Sequence, residues 1–212
     1  MYPSVNQVGY WSGVAACIAT VAYVVVQLLQ IAGALRFPFD EILIYGISLC
    51  IVGPFLLEML SLHYLTEPNM RFWTHGSLIF TTAYVIFVSS NYVVQLATVI
   101  PAKMRGAIDG LQVFDQTPHS LFWDYDAMGY IFMGLAALFA VPAVGKVGFE
   151  KWVRLALIAH TLVTPLIGIV YFAPAYSTNL LVLLGLPWAI TAPSFMLLLA
   201  VMLRRKTIPQ VS

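Results

Sequence analysis

The chain has 212 residues, of which 61% are hydrophobic and 9% charged, with a formal net charge of +1, and its mean hydropathy is +0.89. Soluble domains carry about 25% charged residues, so this composition excludes a water-soluble globule and implies an integral membrane protein with bilayer lipid as its first partner. The near-neutral balance gives no basic face, which excludes nucleic acid as a partner.

The opening residues, M-Y-P-S-V-N-Q, lack the basic n-region and small-residue cleavage site of a secretory signal, so the first apolar run is expected to persist as a span. A bilayer core takes about 20 apolar residues per helix. Six stretches meet that length, 11–35, 41–64, 72–100, 122–145, 151–173 and 179–203, separated by R-F-P-F-D, T-E-P-N, a polar loop over 102–121, V-G-K-V-G and F-A-P-A-Y-S-T. The expected fold is therefore all-α: a single transmembrane domain over 1–212, a six-helix bundle with helices kinked at Pro54, Pro142, Pro165, Pro187 and Pro193.

With both termini in the cytoplasm, Arg71, Lys146, Lys151, Arg154, Arg204, Arg205 and Lys206 fall inside, against Arg36, Lys103 and Arg105 outside. That asymmetry predicts an N-in, C-in topology, in a plasma (inner) membrane. Tyr2, Tyr10, Trp11, Phe72, Trp73, Phe122, Trp123 and Trp152 stand at span ends, where interfacial aromatics are expected. Cys17 and Cys50 are each embedded in apolar sequence, without the spacing of a disulfide framework or thiolate site, and are expected as small buried hydrophobes.

Polar side chains inside spans are costly unless partnered, so they normally face the bundle interior or a wet cavity. In the first span Thr20, Tyr23, Gln27 and Gln30 are spaced 3, 4 and 3 residues apart, which aligns them on one helical face. The third span has Tyr84, Asn91, Gln95 and Thr98 in a similar stripe, and the fourth opens with W-D-Y-D, carrying Asp124 and Asp126. At 1.5 Å rise per residue, Gln30 and Gln95 lie about 7 Å and Gln27 and Asn91 about 12 Å below the outer surface, level with the two aspartates. An outward-facing pocket formed by Gln27, Gln30, Asn91, Gln95, Asp124 and Asp126 is expected, with the 102–121 loop (Asp115, Gln116, Thr117, His119) as its lid. Interhelical amide hydrogen bonding is the alternative use of the same residues. In the last span Trp188, Thr191 and Ser194, at i, i+3 and i+6, add a candidate apolar and hydroxyl lining.

Glu58 is the carboxylate deepest within any span, about 9 Å from its inner end, and must be paired or carry a proton there. His160, roughly 15 Å into the fifth span, is its first expected partner and His75 the second. If the protein is an enzyme, Glu58 and His160 are the catalytic acid/base pair. Neither H-E-x-x-H nor H-x-x-x-H occurs, and only His160 is deep, so neither a metal nor another cofactor is expected. No lysine lies in the interior of a span, where a retinal Schiff base would need one, and no G-x-S-x-G serine for acyl transfer is present.

Three functions fit these residues. The first is a transporter-like or sensor-like protein that binds a small molecule or lipid in an intramembrane polar pocket. The second is a membrane-embedded enzyme doing acid/base chemistry on a lipid. The third is a structural subunit whose polar stripes contact partner helices, in a homo-oligomer or a membrane complex.

Overall fold

The structure of the chain, a computed structural model, describes residues 4–206. It is 82% helical without strands. In chain order come α1 (Val5–Ile31), α2 (Phe39–Tyr64), α3 (Arg71–Val94), a π-helical turn (Gln95–Val99), α4 (Ile100–Met104), α5 (Leu121–Ala140), α6 (Glu150–Phe172) and α7 (Thr178–Arg205). Because α3, the π-turn and α4 run on as one rod, the described residues contain six helices long and apolar enough to cross a membrane. The protein is accordingly an all-α, multi-pass membrane protein.

Helix ends depart from the expected spans for local reasons. The first helix begins at Val5, where the Gln7 side chain accepts the Ser4 N–H at 3.2 Å. It stops at Ile31 because Gly33 takes φ +72°, a left-handed conformation open to glycine, and Ala34 N–H then folds back onto the Leu29 carbonyl. At the other extreme, α5 ends near Pro142 and not at 145. A proline supplies no N–H to continue the helix, and the Arg154 guanidinium donates to the Val141 and Val144 carbonyls beyond the helix end at 2.6 and 3.0 Å. Pro54, Pro165, Pro187 and Pro193 all lie inside helices.

The helices form a closed ring. Each of α2, α3, α5 and α6 packs on its sequence neighbours, and α1 and α7 close the circle against each other. Short loops impose this up-and-down order. One end of the ring, called here the basic end, holds Arg71, Lys146, Lys151, Arg154, Arg204, Arg205 and Lys206; the other is the loop end, covered by the long connection between α4 and α5. At the basic end the Arg204 guanidinium lies 4.7 Å from the Tyr10 ring centre and Arg205 4.5 Å from that of Phe149. Trp11, Phe72 and Trp152 project outward as interfacial aromatics should. Phe122 and Trp123 do not: both are buried, with Trp123 Nε1 donating to the Tyr171 carbonyl at 3.2 Å. Tyr2 lies outside the described residues. Cys17 is half-buried and Cys50 exposed, so the expected burial fails for Cys50, whose small thiol donates to its own helix's Gly46 carbonyl.

Tight packing is concentrated toward the basic end of α1. Gly9, Gly13, Ala16 and Thr20 are buried there at near-helical spacing, and small residues let membrane helices approach closely. A Cβ placed on Gly13 would come within 2.2 Å of Glu58 Oε1 and 2.6 Å of Ala200 Cβ. Gly46, by contrast, has nothing within 4 Å. Replacing Gly13 by Ala should therefore destabilise the protein by about 1–3 kcal/mol, the usual overpacking cost, whereas Gly46→Ala should leave it unchanged or better by up to about 1 kcal/mol. Thermal unfolding of the two variants in the same lipid checks the contrast.

Candidate functional site

Every span contributes at least one aromatic ring to a cavity at the loop end of the bundle. Tyr23 comes from α1, Tyr45 from α2, Tyr92 from α3, Tyr130 from α5, Tyr171 from α6 and Trp188 from α7. The cavity has a volume of about 280 Å³, and its wall also holds Gln27, Gln30, Glu41, Gln116, Trp123, Asp126 and Tyr176. Most of the rings form a connected arc: Tyr130 is 5.0 Å from Trp188 and 5.7 Å from Tyr171, Tyr23 is 5.9 Å from Trp188, and Trp123 is 4.4 Å from Tyr171, while Tyr45 and Tyr92 pair separately at 5.4 Å. Beneath it, Asp126, Tyr23, Ser48 and Tyr84 help line a pocket of about 20 Å³, room for about one water.

Beside Glu41, Asp126 is the acid that reaches this cavity. The Tyr92 hydroxyl donates to its Oδ1 at 2.6 Å and the Tyr171 hydroxyl to its Oδ2, so α3 and α6 both hold the α5 carboxyl. A second polar chain runs up α1. The Tyr23 and Tyr130 hydroxyls share a hydrogen bond of 3.1 Å, Tyr23 donates to Gln27 Oε1, Gln27 Nε2 to Gln30 Oε1, and Gln30 Nε2 to Asp40 Oδ2 at 3.0 Å. These bonds keep polar groups paired at a depth where an isolated one costs several kcal/mol.

The mouth lies on the side of the bundle. Among the lining residues, Leu28 and Ile31 on α1, Val182 and Leu186 on α7, and Tyr176 are also exposed. The seam between α1 and α7, tight beside Gly13, thus opens toward the loop end onto the lipid-facing surface. Gly185 also lines the cavity, and a Cβ placed on it would meet only Leu181 Cδ1, at an ordinary contact distance of 3.8 Å.

Of the expected pocket residues, the structure brings Gln27, Gln30, Asp126 and Trp188 to one cavity and leaves out the others. Asn91 and Gln95 are fully buried and face the long loop. Asn91 Nδ2 donates to Gln116 Oε1 at 2.8 Å and to the Phe122 carbonyl at 3.1 Å; Gln95 Nε2 donates to the Phe114 carbonyl at 2.6 Å, and Gln95 Oε1 accepts the Gln116 N–H at 3.3 Å. The amides clamp the loop that roofs the cavity instead of lining it, and Gln116 is the roof residue they position. Asp124 is exposed, since two residues along a helix from Asp126 put it on another face. Thr191 hydrogen-bonds His160 Nδ1 at 3.2 Å, away from the cavity, and Ser194 faces outward. Thr98 is exposed as well, because the π-turn inserts one extra residue and brings Val99 inward.

The expected Glu58 pair does not form. Glu58 is fully buried, but neither of its oxygens has a partner in the protein, and His160, equally buried, uses Nδ1 on Thr191 while Nε2 is unpartnered. His75 is exposed, its ring 5.8 Å from that of His63. Among the described residues no three His, Cys, Asp or Glu side chains converge as metal ligands.

Five lining rings escape a stripe-by-stripe reading: Tyr45, Tyr92, Tyr130, Tyr171 and Trp123. Their signal was the recurrence of a large aromatic in the loop-end half of every span, visible only when the spans are compared with each other. Comparison with protein-family models, curated proteins and solved structures gives no match, so these residues must carry the reading themselves.

The loop clamp has a direct readout. In Gln95→Leu, the Gln116 N–H loses its acceptor and the Phe114 carbonyl its donor, each worth about 1–3 kcal/mol when left unpaired. Hydrogen exchange at Gln116 should accelerate by at least about tenfold, the factor equivalent to 1.4 kcal/mol, while exchange in the middle of α6 stays as in the parent.

Proposed function

We propose that this protein binds a small, membrane-soluble organic molecule in the loop-end cavity and acts as a transporter or sensor of that molecule. The observation carrying this reading is the cavity itself: all six spans wall it, polar groups converge on it, and its mouth is bordered by apolar side chains at the lipid-facing surface. A ligand dissolved in the bilayer could reach such a site without crossing water. Lipid belongs to the same ligand class. The acid/base enzyme reading required Glu58 and His160 to meet at a substrate-accessible place, and the geometry gives that reading no support.

The reading includes an orientation, with the basic end in the cytoplasm and the loop end outside, in a plasma (inner) membrane. It rests on seven cationic side chains at the basic end. With Cys17 and Cys50 replaced by Ser, a cysteine at Asp109 should react with an impermeant maleimide on intact cells and one at Lys146 only after lysis. The reverse pattern would invert the topology.

Binding can be measured with three small aromatics of similar shape and different charge: benzyltrimethylammonium, neopentylbenzene and phenylmethanesulfonate. In lipid nanodiscs, at least one should bind at one per chain after subtraction of empty discs. Gly185→Phe, which places a ring in the mouth, should reduce that binding by about tenfold or more. Absence of saturable binding for all three, or binding indifferent to Gly185→Phe, would remove the cavity as the functional site.

A further inference from the structure

Resting on that reading of the cavity, we propose that its ligand is an organic cation: a quaternary ammonium or protonated amine carried on an apolar body. Two independent features of the wall point to this chemistry. The first is charge. The lining contains Glu41 and Asp126 and neither Lys, Arg nor His. Glu41 shares one cation with Asp115, since Lys103 Nζ lies 3.0 Å from its carboxylate and 2.8 Å from that of Asp115, whereas Asp126 takes part in none of the ion pairs among the described residues. Its partners are two tyrosine hydroxyls, with the Gln116 side-chain amide also at the carboxyl, and none of them brings a positive charge. A carboxylate offers about four acceptor positions, so capacity remains for a ligand. A cation on the cavity side would supply the missing counter-charge where screening by solvent is weak.

The second feature is the set of rings. Tyr23, Tyr45, Tyr92, Tyr130, Tyr171 and Trp188 surround the space beside Asp126. Aromatic walls with one acid are the arrangement in which ring quadrupoles and a carboxylate both favour a bulky, weakly hydrated cation. Neither feature needs the other: apolar walls would serve any oily ligand, and a carboxylate alone would serve any cation. Together they disfavour anions by repulsion, and small metal ions find no three converging His, Cys, Asp or Glu side chains among the described residues. The lateral mouth, edged by Leu28 and Leu186, adds the requirement for an apolar body.

Such a cation could be the choline headgroup of a lipid or a free amphipathic amine, and the shared chemistry is what the wall recognises. The test uses protein in phosphatidylglycerol nanodiscs, with binding of the three aromatics measured by titration calorimetry. Benzyltrimethylammonium should bind at least about tenfold more tightly than neopentylbenzene, its neutral carbon isostere. Asp126→Asn should abolish that preference while leaving neopentylbenzene binding in place. Should Asp126→Asn fail to fold, Tyr130→Leu serves instead: it should weaken the cation by about threefold or more relative to the isostere, with Tyr130→Phe restoring the parent ratio. Adding phosphatidylcholine displaces the probe if the natural cation is a lipid headgroup and leaves it bound if it is a free amine; both results agree with the proposal. Equal binding of cation and isostere, tighter binding of the sulfonate, or a cation preference that survives Asp126→Asn would overturn the cation assignment and leave the cavity standing. Failure of all three aromatics to bind would overturn both.

Discussion

The closeness of α1 to its two neighbours at Gly13 is the contact on which the architecture depends. A ring of six helices closes only if the first and last meet, and here they meet where α1 is built from small residues and the carboxyl of Glu58 lies against the bare glycine backbone. Membrane helices have no hydrophobic drive toward one another, so close backbone approach and dispersion contacts must hold them. Ten residues further along α1 the small residues give way to Tyr23, paired across the ring with Tyr130 and Trp188. Large rings at that level hold the helices apart. The same helix is therefore a tight seam at one end and the wall of a cavity at the other.

Polar residues in the loop-end half divide into two sets with different tasks. Asp126, Tyr92, Tyr171, Tyr23 and Gln27 satisfy each other at the cavity surface, leaving capacity for a ligand. Asn91 and Gln95 satisfy a loop. The backbone near Phe114, Gln116 and Phe122 is brought down onto the helix ends and partly withdrawn from water, and a primary amide, being donor and acceptor at once, can serve both its N–H and its carbonyl groups. The π-turn begins at Gln95 itself, with the Ile100 N–H donating to the Gln95 carbonyl five residues back. It rotates the end of the helix so that Lys103 reaches Glu41 on α2 and Asp115 in the loop. Roof and wall are thus tied by amides on one side and an ion pair triad on the other.

Much of the fold was legible because hydrocarbon thickness is a hard length constraint: six apolar runs had to be six spans, and the larger shifts of helix ends came where Ser4, Gly33, Gly106 or Pro142 acted locally. The site was legible in part. Helical periodicity put Thr20, Tyr23, Gln27 and Gln30 on one inward face, and they are there. The same rule failed in the third span for an identifiable reason. Y-V-V-V-Q places Gln27 four residues after Tyr23, about 40° further round, whereas Y-V-V-Q places Gln95 three after Tyr92, about 60° the other way. Two similar strings therefore send their amides to different surroundings, one to a cavity and one to a loop. The roof contact itself joins residues about twenty positions apart across an irregular segment, and no periodicity encodes that.

Glu58 shows why a buried acid is a weak sign of chemistry on its own. In the sequence it is the most anomalous residue of the second span; in the structure its anomaly is shared with Gly13. The glycine leaves a gap on α1 at the level where the side chain of Glu58 arrives, so the carboxyl fills volume that an alanine Cβ would have taken. Its oxygens have no partner in the protein, and an ionised carboxylate left so would carry a large desolvation cost. A protonated carboxyl is close in size to an amide or a methionine end and fits the gap as an uncharged group. Asp126, less conspicuous in sequence because it sits near a span end, has two donors, a cavity and no counter-ion. Position relative to open space, more than depth in the membrane, separates an acid that packs from an acid that can meet a ligand.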